Sequence, residues 1–151
     1  MNIFIGADHR GFHLKEILKD FLSKQGYKYI DVGNDHIDDN DDYPDFVKLV
    51  AESILKHPED KGIVICRSGV GVDIVANKFK GIRAALISNT QQAFLSRNDD
   101  DTNILALSSE FTSEEDAKRI IEIWTTTPFS DKEKDKRRIE KIKDIEKNIK
   151  L

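Results

Sequence analysis

Short apolar runs alternate along this chain with stretches in which apolar residues recur every three or four positions. The runs at 3–5, 29–32, 63–65, 84–87 and 104–107 read as five strands, and their near-continuous aliphatic character suits strands covered on both faces. After the first, Phe12, Leu14, Ile17, Leu18, Phe21 and Leu22 keep helical spacing up to a stop at Gly26. Further helices are expected over 45–56, 70–78, 91–97 and 113–124, the last opened by Thr112 and Ser113 with acids in its first turn. Alternation of this kind with short connections predicts an α/β fold of βαβ units around a mostly parallel sheet of five strands.

Two segments depart from the pattern. Residues 34–42, NDHIDDNDD, are acidic enough to suggest calcium, but they lack the glycine and closing glutamate of an EF-hand loop and read as a solvated connector. From 131 onward the chain is charge-rich, yet Ile139, Ile142, Ile145 and Ile149 define one apolar helix stripe, suited to docking on the domain or on a partner subunit.

Composition narrows the functional classes. With 151 residues, 38% hydrophobic and 34% charged, the chain suits one domain with a core and a heavily charged exterior. A formal net charge of −4 argues against general nucleic-acid or membrane-surface binding and leaves small anionic ligands open. One cysteine excludes an intrachain disulfide, no Cys/His cluster suggests a metal, and no apolar stretch approaches the roughly 18 to 20 residues that span a bilayer. A cytoplasmic protein is expected.

That one cysteine, Cys66, lies at the end of the third strand, before Ser68, Gly69, Val70 and Gly71 and a helix start. Ligands of open α/β sheets bind at this carboxyl edge. Small residues admit a ligand to the backbone, and unpaired N–H groups at a helix start favour negative charge, a thiolate included. A lone cysteine after an aliphatic run also reads as a small buried hydrophobe, and the two readings stand side by side.

Spacing separates the chemistries. A cysteine phosphatase loop needs an arginine where Val72 stands, and a dinucleotide fingerprint needs a third glycine where Ile74 stands. Proton transfer beside a sugar carbonyl needs only a base, an oxyanion cradle and polar groups for hydroxyls; Asp8 and His9, after the first strand, suit the last role. They also read as an N-cap and a first-turn residue.

Residues 6–12 (GADHRGF), 42–45 (DYPD), 66–71 (CRSGVG) with 76–78 (ANK), 81–85 (GIRAA) and 101–107 (DTNILAL) together resemble the type B ribose-5-phosphate isomerases and the related galactose-6-phosphate isomerase subunits. The resemblance covers nearly the whole chain. It implies a Rossmann-like three-layer αβα sandwich around a five-stranded parallel sheet, and a metal-free, cofactor-free aldose-ketose isomerase acting on a small sugar phosphate, in a homodimer or homotetramer whose active sites are shared between subunits. Residues 1–130 would form the αβα isomerase domain and 131–151 a C-terminal helix of the same domain.

By resemblance Cys66 is the base that moves the proton between C1 and C2, Ser68 is its hydroxyl neighbour in place of the usual threonine, and residues 67–71 form the enediolate cradle, Gly69, Val70 and Gly71 among them. Asp8, His9 and Tyr43 would contact the sugar. The leading pair is ribose 5-phosphate and ribulose 5-phosphate. The alternatives are another sugar phosphate, such as galactose 6-phosphate or allose 6-phosphate, and a non-catalytic sugar-phosphate-binding subunit.

Departures from the pattern bear on both ends of the substrate. Asp99 and Asp100 replace a His-Asn pair that opens the sugar ring and holds a hydroxyl, which reverses the charge of an imidazolium and repels phosphate. Arg67 stands at a usual glycine and Glu110 at a usual phosphate-contacting arginine. Lys134 and Arg138 match two C-terminal arginine positions, so a phosphate site rebuilt around Arg67, Lys134 and Arg138 is expected.

Overall fold

The aliphatic runs become strands in the computed structural model, which describes residues 1–148. Strands β1 (Asn2–Ala7), β2 (Lys28–Asp31), β3 (Lys61–Cys66), β4 (Ala84–Leu86) and β5 (Ile104–Ser108) form one sheet in the order β2-β1-β3-β5-β4, every neighbouring pair parallel. Helices α1 (Phe12–Lys24), α2 (Tyr43–Lys56), α3 (Val70–Ala76), α4 (Thr90–Asn98) and α5 (Glu114–Thr126) follow the strands in turn, and α6 (Glu133–Asn148) comes last.

Alternate side chains of each strand leave on opposite faces, and each face takes its own helices. Ile3, Ile5, Ile63, Ile65, Leu105 and Leu107 pack with Leu14, Leu18 and Leu22 of α1 and with Ala117, Ile120, Ile121 and Trp124 of α5. Phe4, Val64, Cys66, Ile104 and Ala106 pack with Val47, Val50, Ala51 and Ile54 of α2 and with Val72 and Ala76 of α3. Each large aliphatic side chain so enclosed contributes about 1.5–3 kcal/mol, which is why 63–65 of β3 and 104–107 of β5 are aliphatic throughout.

The termini follow the expected chemistry in part. Ser113 caps α5, accepting the Asp116 N–H at 3.1 Å, and Gly26 takes φ +79° beyond α1. Asp8 is not an N-cap: Gly11 holds that place, and Asp8 instead accepts the Gly11 N–H at 2.9 Å, fixing the turn that enters α1. On α6 only the first part of the stripe is buried: Ile139 is enclosed, Ile142 and Ile145 are exposed, and Ile149 lies outside the described residues.

The strand order also fixes where a ligand can sit. The chain leaves β1 toward one edge of the sheet and leaves β3 toward the other, so the crevice beyond the carboxyl ends of β1 and β3 is the topological switch point. Asp8 follows β1 and Cys66 ends β3.

Candidate active site

Cys66 shares the α2/α3 face with Val64, and its Sγ accepts the Gly69 N–H at 3.2 Å. Gly69 holds φ +77°, and a Cβ there would fall 2.4 Å from Leu86 Cδ1, so only glycine closes this turn. The Ser68 Oγ accepts the Val70 N–H at 3.3 Å, while the N–H groups of Gly71 and Val72, in the first turn of α3, have no partner among the described residues. Cys66 is only 5% exposed and belongs to the core cluster, yet it also lines an open cavity of about 460 Å³ with Asp8, Tyr43, Arg67, Ser68, Val70, Gly71 and Ile74. The sulfur is not sealed in the interior.

The sugar-contact candidates meet there. Asp8 is buried, and burial pushes its carboxyl above the ordinary carboxylate range despite the Gly11 N–H it accepts. Tyr43 opens α2 ahead of Pro44, and its ring lies against Gly71, where a Cβ would fall 2.7 Å from the ring Cζ. His9 adjoins Asp8 and is held by Asp41: one carboxylate oxygen takes both the His9 backbone N–H at 3.0 Å and its ring Nδ1 at 2.7 Å. That contact raises the imidazole pKa above its ordinary value and leaves Nε2 without a partner among the described residues.

Asp41 comes from the acidic segment read as a solvated connector. Residues 35–40 are indeed exposed, but Asn34 and Asp41 turn inward and bond to each other. Donor atoms of Asp8, His9 and Asp41 lie within 4.8 Å of one another, close enough for a cation; hydrogen bonds to Gly11, His9 and Asn34 already account for the arrangement.

Arg67 and Glu110, read separately in the sequence, form one pair. Arg67 Nε meets Glu110 Oε2 and Nη2 meets Oε1 at 3.0 Å, a two-point contact that lowers the Glu110 carboxyl pKa. The two join Arg10 and Ser109 around a cavity of about 510 Å³, and Arg67 lines both this cavity and the one at Cys66.

Asp99, Asp100, Lys134 and Arg138 do not line the cleft at Cys66 within this chain. Asp99 ends α4 and takes the Asn98 side-chain amide at 2.6 Å; Asp100 is exposed, its carboxyl pushed up by partial burial and by Asp99. Lys134 is exposed on α6, where Arg138 faces Asp135 at 3.4 Å. Next to the two acids, Asp101 plays a different part, bridging Arg83 and Arg97 at 2.8 and 2.7 Å from a left-handed backbone of φ +47°.

Residues 3–142 match the Ribose/Galactose Isomerase family. The chain is 42% identical over 147 residues to a probable ribose-5-phosphate isomerase B of Mycoplasma genitalium, covering 97% of this chain and 96% of that one. It is 42% identical over 122 residues to ribose-5-phosphate isomerase B of Escherichia coli, 81% of each chain. The crystal structure of the Mycoplasma genitalium ribose-5-phosphate isomerase B with bound ribulose-5-phosphate superposes with a TM-score of 0.93 at 41% identity, over 98% of this chain and 97% of that one.

Proposed function

The chain belongs to the Ribose/Galactose Isomerase family, and from that premise we propose that it interconverts ribose 5-phosphate and ribulose 5-phosphate through an enediolate, with Cys66 as the base. The observation that carries this reading is a thiol lining an open cleft at the topological switch point, beside Asp8, Tyr43 and two unpartnered helix-start N–H groups. In the forward direction the Cys66 thiolate takes the proton from C2 of the open-chain aldose, and the electrons move onto the carbonyl oxygen at C1. The N–H groups of Gly71 and Val72 stabilise that oxygen. Return of the proton to C1, with transfer of the O2 proton to O1, forms the C2 carbonyl and the C1 hydroxyl of the ketose and leaves Cys66 as it began. Ser68 stands beside these oxygens, and Asp8, His9 and Tyr43 hold hydroxyls.

A second copy of the chain completes the site in this proposal, bringing Asp99 for ring opening, Asp100 for a hydroxyl, and Lys134 and Arg138 for the phosphate. Its support is that all four lie away from their own chain's cleft, while Val70 and Ile74 of α3 and Phe94 and Leu95 of α4 expose apolar side chains. Arg67 serves the phosphate when it leaves Glu110. A dimer or tetramer of this kind suits the cytoplasmic setting expected from the single cysteine.

Isomerisation and solvent-deuterium exchange at the substrate carbon, measured for wild type and Cys66→Ala, test the base. A loss of roughly 10²–10⁴-fold with the fold intact is expected; exchange that survives in the variant refutes the assignment. Mixing Cys66→Ala and Asp99→Asn protomers regenerates one intact site per mixed pair if sites are shared. Because the ring-opening and phosphate positions both differ from the family pattern, galactose 6-phosphate and allose 6-phosphate belong in the same substrate panel. A wild type that exchanges with none of these is a binding subunit.

A further inference from the structure

Lys61 opens β3 and Cys66 ends it, so about 17 Å separates the amino edge of the sheet from the cleft. At that amino edge a cavity of about 410 Å³ is lined by Lys61, Arg83, Arg97, Lys143, Asp60 and Asp101 among others. The two acids are already engaged. Asp101 gives one oxygen to Arg97 Nη1 at 2.7 Å and the other to Arg83 Nη2 at 2.8 Å, and Asp60 accepts the Asn2 backbone N–H at 2.6 Å and its side-chain amide at 3.1 Å.

The cations are not all engaged. Lys143 pairs with Glu140 at 2.5 Å, outside the cavity lining. The Lys61 ammonium has no hydrogen bond or ion pair with any described residue; its one close contact is the Trp124 ring, with the centroid 5.5 Å away. Burial, and then the repulsion of nearby Arg97, outweigh the attraction of Asp101 and pull its pKa down to about 8. Arg97 is 7% exposed and uses only Nη1, leaving Nη2 unbonded and Nε buried with no partner. Leaving donors of a buried guanidinium unbonded is costly, and so is half-burying an ammonium with no direct ion pair. One anion in the cavity relieves part of this.

We propose that this cavity is a binding site for a small multiply charged anion, phosphate or the phosphoryl group of a phosphomonoester, separate from the cleft at Cys66. Its donors come from the start of β3, the segment before β4 and helix α4, three directions that suit a tetrahedral group with several oxygens better than a planar carboxylate. Asp100 and Asp101 already take Arg83 Nε and Nη2, and Asp101 and Thr102 take Arg97 Nη1, so Arg83 Nη1 and Arg97 Nη2 supply the directed donors and Lys61 supplies a point charge.

The Lys61 ammonium reports on its own site. Its titration is followed by NMR of lysine-labelled protein in chloride, in inorganic phosphate and in glycerol 3-phosphate, all at matched ionic strength. An anion beside the ammonium favours the charged form, so the midpoint rises in the phosphate-bearing buffers. A response at lower concentration of phosphate assigns the free ion, and one at lower concentration of glycerol 3-phosphate assigns an ester; either supports the site. By calorimetry Lys61→Gln loses about tenfold in affinity for inorganic phosphate at this site while isomerase activity persists. Lys143→Gln, at an exposed position, shows a smaller loss in the same direction and keeps the test readable if the first variant unfolds. A Lys61 midpoint that is the same in all three buffers overturns the proposal.

Discussion

Adding one methyl group at Gly71 isolates the positioning of Tyr43 from the stability of the fold. The new Cβ would lie 2.7 Å from Tyr43 Cζ, 2.9 Å from Cε2 and 3.0 Å from the hydroxyl oxygen. Ordinary carbon contacts are about 3.5–4.0 Å, so the ring has to withdraw by about 1 Å. Gly71 sits in α3, and its φ is not among the positive values, so Ala meets no left-handed strain and gains up to about 1 kcal/mol in helix propensity. Displacing the ring costs about 1–3 kcal/mol. The net loss of stability is therefore at most about 3 kcal/mol, whereas a 1 Å error in a positioning group lowers turnover by as much as about 100-fold. Gly71→Ala should unfold in urea cooperatively at a modestly lower midpoint while kcat/KM for ribose 5-phosphate falls roughly 10- to 100-fold. Tyr43→Ala removes the collision, so in the double variant Gly71→Ala should no longer destabilise. Full activity in Gly71→Ala, or strictly additive stabilities in that cycle, refutes the reasoning.

Lys15, fully buried in α1, reaches Asp31 at 2.7 Å and the Asn34 carbonyl, and Lys19 reaches the same Asp31 oxygen at 2.8 Å. Burial works to raise the Asp31 pKa, but the two lysines outweigh it and the carboxyl ends up lowered; its stabilisation is held at neutral pH and lost as pH falls through the folded-state value. Asp31→Asn should cost about 3–5 kcal/mol in urea unfolding because it strands a buried ammonium, and Lys15→Met should cost less, since Lys19 still serves Asp31. At His9 the sign is opposite: Asp41 raises the imidazole pKa above 6.5, so this contact stabilises fully below that value and its contribution fades as pH rises through the folded midpoint. Asp41→Asn should bring the His9 midpoint down in an NMR titration. Glu110→Gln should free Arg67 and lower KM for the phosphorylated substrate by roughly two- to fivefold, the scale of an exposed ion pair; an unchanged KM removes Arg67 from the phosphate site.

What was legible in the sequence is what short-range periodicity controls. Every expected strand and helix is present, with ends shifted by at most two residues, because covered parallel strands and amphipathic helices each need a repeating local pattern. Contacts made by strand order were harder to read. Arg67 and Glu110 are neighbours because β3 lies beside β5, with Cys66 opposite Ser108, although β4 intervenes in the chain. His9 and Asp41 meet because the acidic segment folds back on the end of β1, and nothing in NDHIDDNDD distinguishes the inward Asp41 from its exposed neighbours. Lys15 left no trace either, since a lysine on a helix ordinarily reads as solvated and its partners lie 16 and 19 residues away.

The two readings of the thiol were never exclusive. A side chain at the last position of a central strand belongs by its face to one core layer and by its height to the edge where the sheet ends. Cys66 satisfies both: Val64 precedes it on the α2/α3 face, and beyond it the backbone turns through Gly69 into the open start of α3. Apolar packing on the strand side then holds the sulfur in place while the loop side opens onto the cavity it shares with Asp8 and Tyr43. Filling that loop side should therefore damage activity before it damages the fold, which separates this arrangement from a cysteine kept only for packing.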